Sequence, residues 1–222
     1  MLYPMGKQKR RFSVVKFLFL ILLLCAETAN SQTLWGVDWE TATPEQIQKL
    51  IDDGASVTNA LLMATARSSS NLAVIEALIK AKADVNARNA LGDTPLMLAA
   101  WSNSDLAVIE ALIKAKADVN ARNKDGGTPL MYAAGSNSDL AVIEALITAK
   151  ADVNARDKDG WTPLMLAAWS NSNPAVIEAL ITAKANVNAR NISGKTAFDY
   201  AEDNPEIKGT PVYWKLNDLM YK

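Results

Sequence analysis

The sequence predicts an all-α solenoid in which short helix pairs stack and each pair covers an apolar side of the next. Three observations support this prediction. A block of 34 residues recurs with few changes, beginning at Ala83, Ala117, Ala151 and Ala185. The first three blocks each contain a Thr-Pro pair, which is typical of the start of a helix. They also contain apolar residues at helical spacing, the pattern of a helix with one buried side.

A capping unit at about residues 35–57 precedes these blocks. Thr43, Pro44 and Gln46 form a capping-box pattern, which predicts a helix that ends at Asp52. The repeat that follows lacks about six residues of its arm relative to the later blocks. We therefore expect little or no hairpin in this first unit.

Residues 83–116 show what one repeat contains. A short extended arm leads to a hairpin tip, where Gly92 supplies the positive φ that such a turn needs. Thr94 and the proline after it begin a first short helix. A loop then leads to Asp105, which caps a second helix. Burial of each side chain in the apolar stripe of that helix is worth roughly 1.5–3 kcal/mol. The stripe consists of Val108, Ile109, Leu112 and Ile113.

This order of arm, helix, loop and helix resembles the ankyrin repeat. TPL opens the first helix and ADVNA begins the next arm, and both motifs recur in register. The resemblance covers nearly all of residues 35–220 and implies an ankyrin-repeat domain over residues 32–222, with short β-hairpin-like arms. The expected repeats span about residues 58–82, 83–116, 117–150 and 151–184, and the C-terminal cap spans residues 185–222.

Two positions depart from the family pattern. The usual His after TPL is Met in this chain, at Met97, Met131 and Met165. The usual Gly before AD is Lys, at positions 82, 116, 150 and 184. The first departure implies that packing replaces the hydrogen bond that the histidine makes between repeats.

The C-terminal cap carries charge where a further repeat would stack. Asp199 and Glu202 stand where the preceding repeat has apolar residues. Such charge suits a terminal unit, because its outer side faces water. A Thr-Pro pair at residues 210–211 then predicts a last helix.

Residues 1–31 have the organisation of a secretory signal peptide. A basic start precedes an unbroken apolar run at residues 17–24. The apolar stretch is shorter than the ~20 residues that span a bilayer. We therefore expect export through the secretory pathway, to the periplasm or the cell exterior, of a mature chain that begins near Gln32. A retained membrane anchor or lipidation at Cys25 is the alternative.

The composition disfavours several kinds of partner. Residues 1–31 carry five basic residues and one acidic residue, so the remainder has 18 basic against 23 acidic residues and a net charge of about −5. Nucleic acids and anionic membranes require clustered Lys and Arg, so neither is an expected partner. The chain has no His, its single Cys lies in the signal segment, and no phosphate-binding or metal-ligand motif is present. We predict no enzymatic activity, no cofactor and no metal.

The repeats differ from one another in a small region. Blocks 83–116 and 117–150 differ at six of 34 positions, and five of these lie at the hairpin tip or on the first helix. In the ankyrin family these positions line a concave face that binds partners. Several of them hold Trp or Tyr, the residue types that dominate binding energy at protein interfaces. The alternative is drift between duplicated repeats, with each ring packed flat on its neighbour.

We therefore predict a monomer that binds a protein partner on this concave face. Aromatic residues would supply the buried contact, and charged tips would set specificity and register. Two further hypotheses stay open: carbohydrate or cell-wall binding through stacked Trp rings, and an immunity or inhibitor protein that masks an exported toxin or enzyme. The candidate contact residues are Leu91, Asp93, Leu98, Trp101, Lys124, Asp125, Tyr132, Lys158, Trp161, Leu166, Trp169 and Lys195.

One arm position holds arginine in four successive repeats. These arginines form a column that would either receive an acidic strip of a partner or pair with nearby Asp residues. At a spacing of roughly 8–10 Å the charges repel each other only weakly in water, by ~0.4 kcal/mol. The column consists of Arg88, Arg122, Arg156 and Arg190.

Overall fold

A computed structural model describes residue 34 and residues 36–66, 71–102 and 105–220. The predicted signal peptide lies outside the described residues. Within them the chain forms eleven α-helices and no β-strand, which confirms the predicted all-α class. The helices are α1 (Pro44–Asp52), α2 (Val57–Ala66), α3 (Leu72–Lys80), α4 (Pro95–Trp101), α5 (Leu106–Lys114), α6 (Pro129–Ser136), α7 (Leu140–Thr148), α8 (Pro163–Ser170), α9 (Pro174–Thr182), α10 (Ala197–Ala201) and α11 (Pro211–Met220).

The helices stack in two layers, and each layer follows the chain order. One layer contains the first helices of the repeats, α2, α4, α6, α8 and α10, each packed on the next. The other contains α1, α3, α5, α7, α9 and α11, packed in the same sequential way. The core lies between the layers, because Val108, Ile109 and Leu112 of α5 and their equivalents in α3, α7 and α9 are fully buried there, and Ile113 is partly buried at its edge. No helix among the described residues is long and apolar enough to cross a bilayer.

The predicted helix starts are confirmed. Thr43 and Gln46 form the complete capping box of α1. Thr94 begins α4 in the same extended conformation, and its side chain accepts from the N–H of Met97. Asp105 caps α5 through the N–H of Ala107. The equivalent caps Asn71, Asp139 and Asn173 also accept a backbone N–H in their own first turns.

Hydrogen bonds close each arm into a hairpin-like turn and join successive tips. The N–H of Asn89 donates to the carbonyl of Asp93 at 3.0 Å. Gly92 has a φ of 82°, as the turn requires. The N–H of Lys124 then donates to the carbonyl of Leu91 in the preceding arm at 3.0 Å. The same link recurs from Lys158 to Asp125 and from Ile192 to Asp159.

Two columns of asparagine side chains bridge the repeats. In the arms, Asn120 donates through Nδ2 to the carbonyl of Lys150 at 2.9 Å and accepts through Oδ1 from the N–H of Asp152 at 2.7 Å. In the loops between helices, buried Asn171 donates through Nδ2 to the carbonyls of Ala134 and Asn137 at 2.8 and 2.9 Å. Asn86 and Asn154 repeat the arm bridge, and Asn204 repeats the loop bridge.

The sequence predicts that packing replaces the histidine bond, and burial of the methionines at that position, Met97, Met131 and Met165, agrees with this prediction. Polar contacts between repeats are nevertheless supplied, by asparagines at other positions of the block. Their amide groups can donate and accept at once, so one side chain fixes two backbone groups of its neighbour.

The arginine column bonds to backbone carbonyls. Arg88 donates through Nη1 to the carbonyl of Gly92 in its own tip at 3.0 Å and to the carbonyl of Arg122 in the next arm at 2.6 Å. Arg122 donates to the carbonyl of Arg156 at 2.7 Å, and Arg156 donates to that of Arg190. The predicted pairing with nearby Asp residues is wrong, because the ion pair in the described part of the chain joins Lys215 to Glu178.

The last unit is a complete helix pair. The helix α11 begins at Pro211, as predicted, and packs on both α9 and α10. Asp199 forms a capping box with Thr196 at the start of α10, so its carboxylate caps the N-terminus of that helix. Burial opposes ionisation of Asp199, but the hydrogen bonds from Thr196 outweigh it and the pKa of the carboxyl is lowered.

Candidate functional site

A groove of about 270 Å³ lies on the face formed by the hairpin tips and the first helices. We call it the central groove, because it opens over the repeat at residues 117–150. That repeat has Gly127 at its tip and Gly135 on α6, where the following repeat has Trp161 and Trp169. The groove therefore exists because two large side chains are missing from one repeat. Its lining includes Trp101, Asn123, Asp125, Met131, Tyr132, Asp157, Leu166, Trp169 and Ser170.

Gly135 leaves open space above α6. A Cβ built on it would lie 3.6 Å from both Leu166 Cβ and Ser170 Oγ, which is ordinary van der Waals contact. No steric clash thus requires glycine at this position, and glycine within a helix is destabilising by roughly 0.5–1 kcal/mol relative to Ala. The missing side chain keeps the floor of the groove open.

An aromatic cluster borders the groove on the C-terminal side. The ring of Trp161 stacks on Tyr200 of the next repeat, with centroids 4.4 Å apart and planes inclined by 25°. Trp169 meets Trp161 in a tilted arrangement at 5.6 Å and keeps 48% of its surface exposed. The two tryptophans therefore differ: Trp161 packs on its neighbour, as the alternative interpretation of these residues holds, while Trp169 remains available to a partner.

Asp93 was predicted to be an exposed charge at a hairpin tip, and this is wrong. Its side chain is buried, with 1% of its surface exposed. Oδ1 accepts from Asn123 Nδ2 at 2.7 Å and from the hydroxyl of Tyr132 at 2.9 Å, and Oδ2 accepts from Asn89 Nδ2 at 3.3 Å. Burial, followed by the charge of Asp93, raises the pKa of the Tyr132 hydroxyl. Tyr132 thus stays neutral and anchors the carboxylate, while its ring faces the groove.

Leu98 is buried as well, with 3% of its surface exposed, so its predicted exposure on the contact face is also wrong. It packs with Leu62 and Ala66 of the preceding repeat, and Leu91 packs partly against this small cluster. These leucines join repeats. The other candidates are partly or fully exposed: Trp101, Tyr132, Trp161 and Leu166 are half-buried, and Lys124, Asp125, Lys158, Trp169 and Lys195 are exposed.

The structure brings only some candidates together. Trp101, Asp125, Tyr132, Leu166 and Trp169 meet in the central groove. Lys124 and Lys158 lie on tips beside it without lining it, and Lys195 lies near the ring of Tyr200, 5.3 Å from the centroid.

The contact residues predicted from the sequence do not include Asp157, whose sequence context indicates a turn. The turn role is real, because Oδ1 accepts from the N–H groups of Asp159 and Trp161 at 3.0 and 2.8 Å. The same side chain lines the central groove. Burial raises its pKa, and the nearby charge of Asp159 adds to the rise. The available signal was that other repeats have asparagine here.

The comparisons with known proteins agree with this architecture. A family model described as ankyrin repeats (3 copies) matches residues 40–123, 103–191 and 130–207. Together these matches span most of the chain, and the chain belongs to the ankyrin repeat family. A comparison with curated proteins gives no match.

Membership in this family indicates a protein–protein interaction module. Ankyrin repeat proteins are generally non-enzymatic and typically bind protein partners. The part of the chain that the structure describes contains no group of three or more His, Cys, Asp or Glu side chains placed to hold a metal ion. The central groove presents aromatic surface beside the carboxylates of Asp125 and Asp157, an arrangement suited to non-covalent binding.

Proposed function

We propose that this protein is exported through the secretory pathway to the periplasm, where it acts as a monomer that binds a partner protein over the central groove. The single observation that supports this most is the groove itself. Trp169 is 48% exposed beside an opening that the glycine repeat creates. A large exposed aromatic residue next to a concave opening is typical of an interface anchor. The export step rests on the sequence of residues 1–31.

A side-chain graft provides the test. Gly135→Trp places in the central repeat the residue that both neighbouring repeats already carry at this position. The new indole would fill the groove with no change to the helix caps or the core. We expect capture of the partner, measured by crosslinking in the native envelope and mass spectrometry, to fall at least ten-fold.

Trp214→Ala is the matched control, because Trp214 is 56% exposed on α11 and lies outside the groove. Capture by this variant should equal that of the wild type. Capture that survives Gly135→Trp but is lost in Trp214→Ala would move the interface away from the groove and overturn the proposal.

Carbohydrate binding is the second candidate, supported by the exposed ring of Trp169. It is weakened by Trp161, because stacking on Tyr200 leaves that ring less surface for a sugar. Titration of the chain with soluble glycans, followed by tryptophan fluorescence, separates the two functions. A saturable shift with glycans would favour the carbohydrate function, and an unchanged spectrum would favour a protein partner.

A further inference from the structure

We infer that the central groove receives a basic side chain, lysine or arginine, that projects from the partner. This inference rests on the proposed function and specifies its chemistry. The size of the groove limits what it can hold. The volume of about 270 Å³ lies just below the roughly 300–1,000 Å³ of small-molecule sites. The groove is therefore suited to one long side chain and not to a whole drug-sized ligand.

The charges around the groove favour a cation. Among the described residues that line it, the charged ones are Asp125 and Asp157, and no Lys or Arg is among them. The lysines of the same tips, Lys124 and Lys158, are exposed beside the groove without lining it. A concave site lined by charge of one sign concentrates ligands of the opposite sign.

The aromatic lining favours the same ligand. Trp101, Tyr132 and Trp169 line the groove together with these carboxylates. The faces of aromatic rings attract Lys ammonium and Arg guanidinium groups, and Trp does so most strongly. The aliphatic stem of either side chain also packs well on an indole. Rings and carboxylates side by side thus match both parts of a basic side chain.

Asp157 is the residue that distinguishes this arrangement from an ordinary repeat. The corresponding residues are Asn89, Asn123 and Asn191, and all four side chains accept two backbone N–H groups through Oδ1. The asparagines also donate: Asn123 Nδ2 bonds to Tyr132, and Asn191 Nδ2 bonds to Tyr200 at 2.7 Å.

Asp157 has an acceptor where these asparagines have a donor. No side chain among the described residues donates to its second carboxylate oxygen. Burial and the charge of Asp159 both work against its ionisation and raise its pKa. A cation in the groove would supply the missing donor and remove this unfavourable electrostatic environment.

The test uses the full chain and two matched probes. Acetyl-arginine amide carries the charge, and acetyl-citrulline amide has nearly the same shape without it. Each is titrated to about 50 mM against ¹⁵N-labelled protein, since a single side chain should bind with a Kd in the millimolar range. We expect the arginine probe to shift the indole N–H resonance of Trp169 saturably, and we expect no saturation with citrulline. Equal responses to the two probes, or no response of Trp169, would overturn the inference.

Two Asp→Asn variants show which carboxylate contacts the arginine probe. Asp157→Asn keeps the turn, as the three equivalent asparagines show. It should raise the Kd for the arginine probe about five-fold, the upper range for a solvent-accessible ion pair. Asp159→Asn changes an exposed carboxylate of the same hairpin that does not line the groove, and it should weaken the probe less than two-fold. The inference is wrong if the two variants have equal effects.

The failure of this inference is distinguishable from failure of the proposed function. Gly135→Trp could abolish partner capture while the arginine probe leaves the Trp169 resonance unshifted. The groove would then bind a protein partner, but the inference that it receives a basic side chain would be wrong. If Gly135→Trp leaves capture intact, the proposed function itself fails.

Discussion

The side chain of Asn120 holds the backbone of Asp152 in the next repeat, with 2.7 Å between Oδ1 and the amide nitrogen. Its Nδ2 donates to the carbonyl two residues earlier, at Lys150. A solenoid is stabilised largely by interfaces between neighbouring repeats, so bonds of this kind join units that would otherwise be held by apolar contact alone. One asparagine in each ADVNAR motif thus serves as a clamp.

Asn120→Ala should destabilise the chain by about 1–2 kcal/mol, because two hydrogen bonds of roughly 0.5–1.5 kcal/mol each are lost, at the lower end of that range since the site is exposed. Urea denaturation followed by circular dichroism measures the change. Asn188→Ala is the matched control. Asn188 occupies the same position of the last arm, and its side-chain amide makes none of the described hydrogen bonds between repeats. A loss in Asn188→Ala as large as in Asn120→Ala would show that the clamp is not the cause.

The lysines that replace the family's glycine adopt a left-handed backbone. Lys82, Lys116, Lys150 and Lys184 have φ between 63° and 72°. Each follows a helix end, and the bonds from Lys116 to Ile113 and from Ala117 to Leu112 are those of a Schellman motif. The conformation costs a residue with a Cβ about 1–2 kcal/mol.

Lys116→Gly should therefore stabilise the chain by about 0.5–1 kcal/mol, after the greater entropy of glycine in the unfolded chain is subtracted. Thermal unfolding should show a Tm about 1–4 °C higher. Lys114→Gly, two residues earlier at the last residue of α5, should instead lower stability by up to about 0.5 kcal/mol, because glycine loses more conformational freedom in a helical conformation. A Tm that falls in both variants would contradict this account of the lysine column.

Local signals predicted the fold well. Thr-Pro pairs and the polar caps at Asn71 and Asp105 fix the helix starts within their own turns, so no distant contact was needed to place them. The two-layer order follows from the 34-residue period. The burial of Asp93 could not be predicted in this way, because the side chains that bury and bond it, Asn123 and Tyr132, belong to the next repeat.

The candidate site was predicted only in part for the same reason. Comparison of the repeats found the variable positions, including the glycines that open the groove. Such a comparison gives no information on burial, because the side chains of the next repeat decide whether a residue at a hairpin tip is buried or exposed. Trp161 and Trp169 illustrate this: both are tryptophans of one repeat, but only Trp161 meets Tyr200 from the C-terminal unit.

Trp161 and Trp169 should respond differently to truncation. Trp161→Ala removes a ring stacked on Tyr200 and in contact with Trp169, so we expect a loss of about 1–3 kcal/mol. Trp169→Ala should lower the free energy of unfolding by less than about 1 kcal/mol, because the ring of Trp169 is half exposed. Denaturation of the two variants side by side measures both. A greater loss in Trp169→Ala would place that ring in the structural core.

Asp157→Asn should stabilise the chain at neutral pH and leave stability in acid unchanged. The pKa of Asp157 is raised in the folded state, first by burial and also by the charge of Asp159. Between the ordinary Asp pKa of about 3.9 and the raised value, the folded chain holds a proton that the unfolded chain has released. Stability therefore falls as the pH rises through this window, and the deficit is complete above it.

Asparagine retains the acceptor for the N–H groups of Asp159 and Trp161 and removes the charge. Because Asp157 is partly exposed, the expected gain at pH 7 is within about 0.5 kcal/mol, or a Tm about 1–2 °C higher. Near pH 3 the variant and the wild type should unfold together. Asp159→Asn should show a smaller gain, because this substitution removes only the nearby charge and keeps the backbone N–H that Asp159 donates to Asp157. If Asp157→Asn is less stable than the wild type at pH 7, the carboxylate stabilises the fold, and its position in the groove needs no functional explanation.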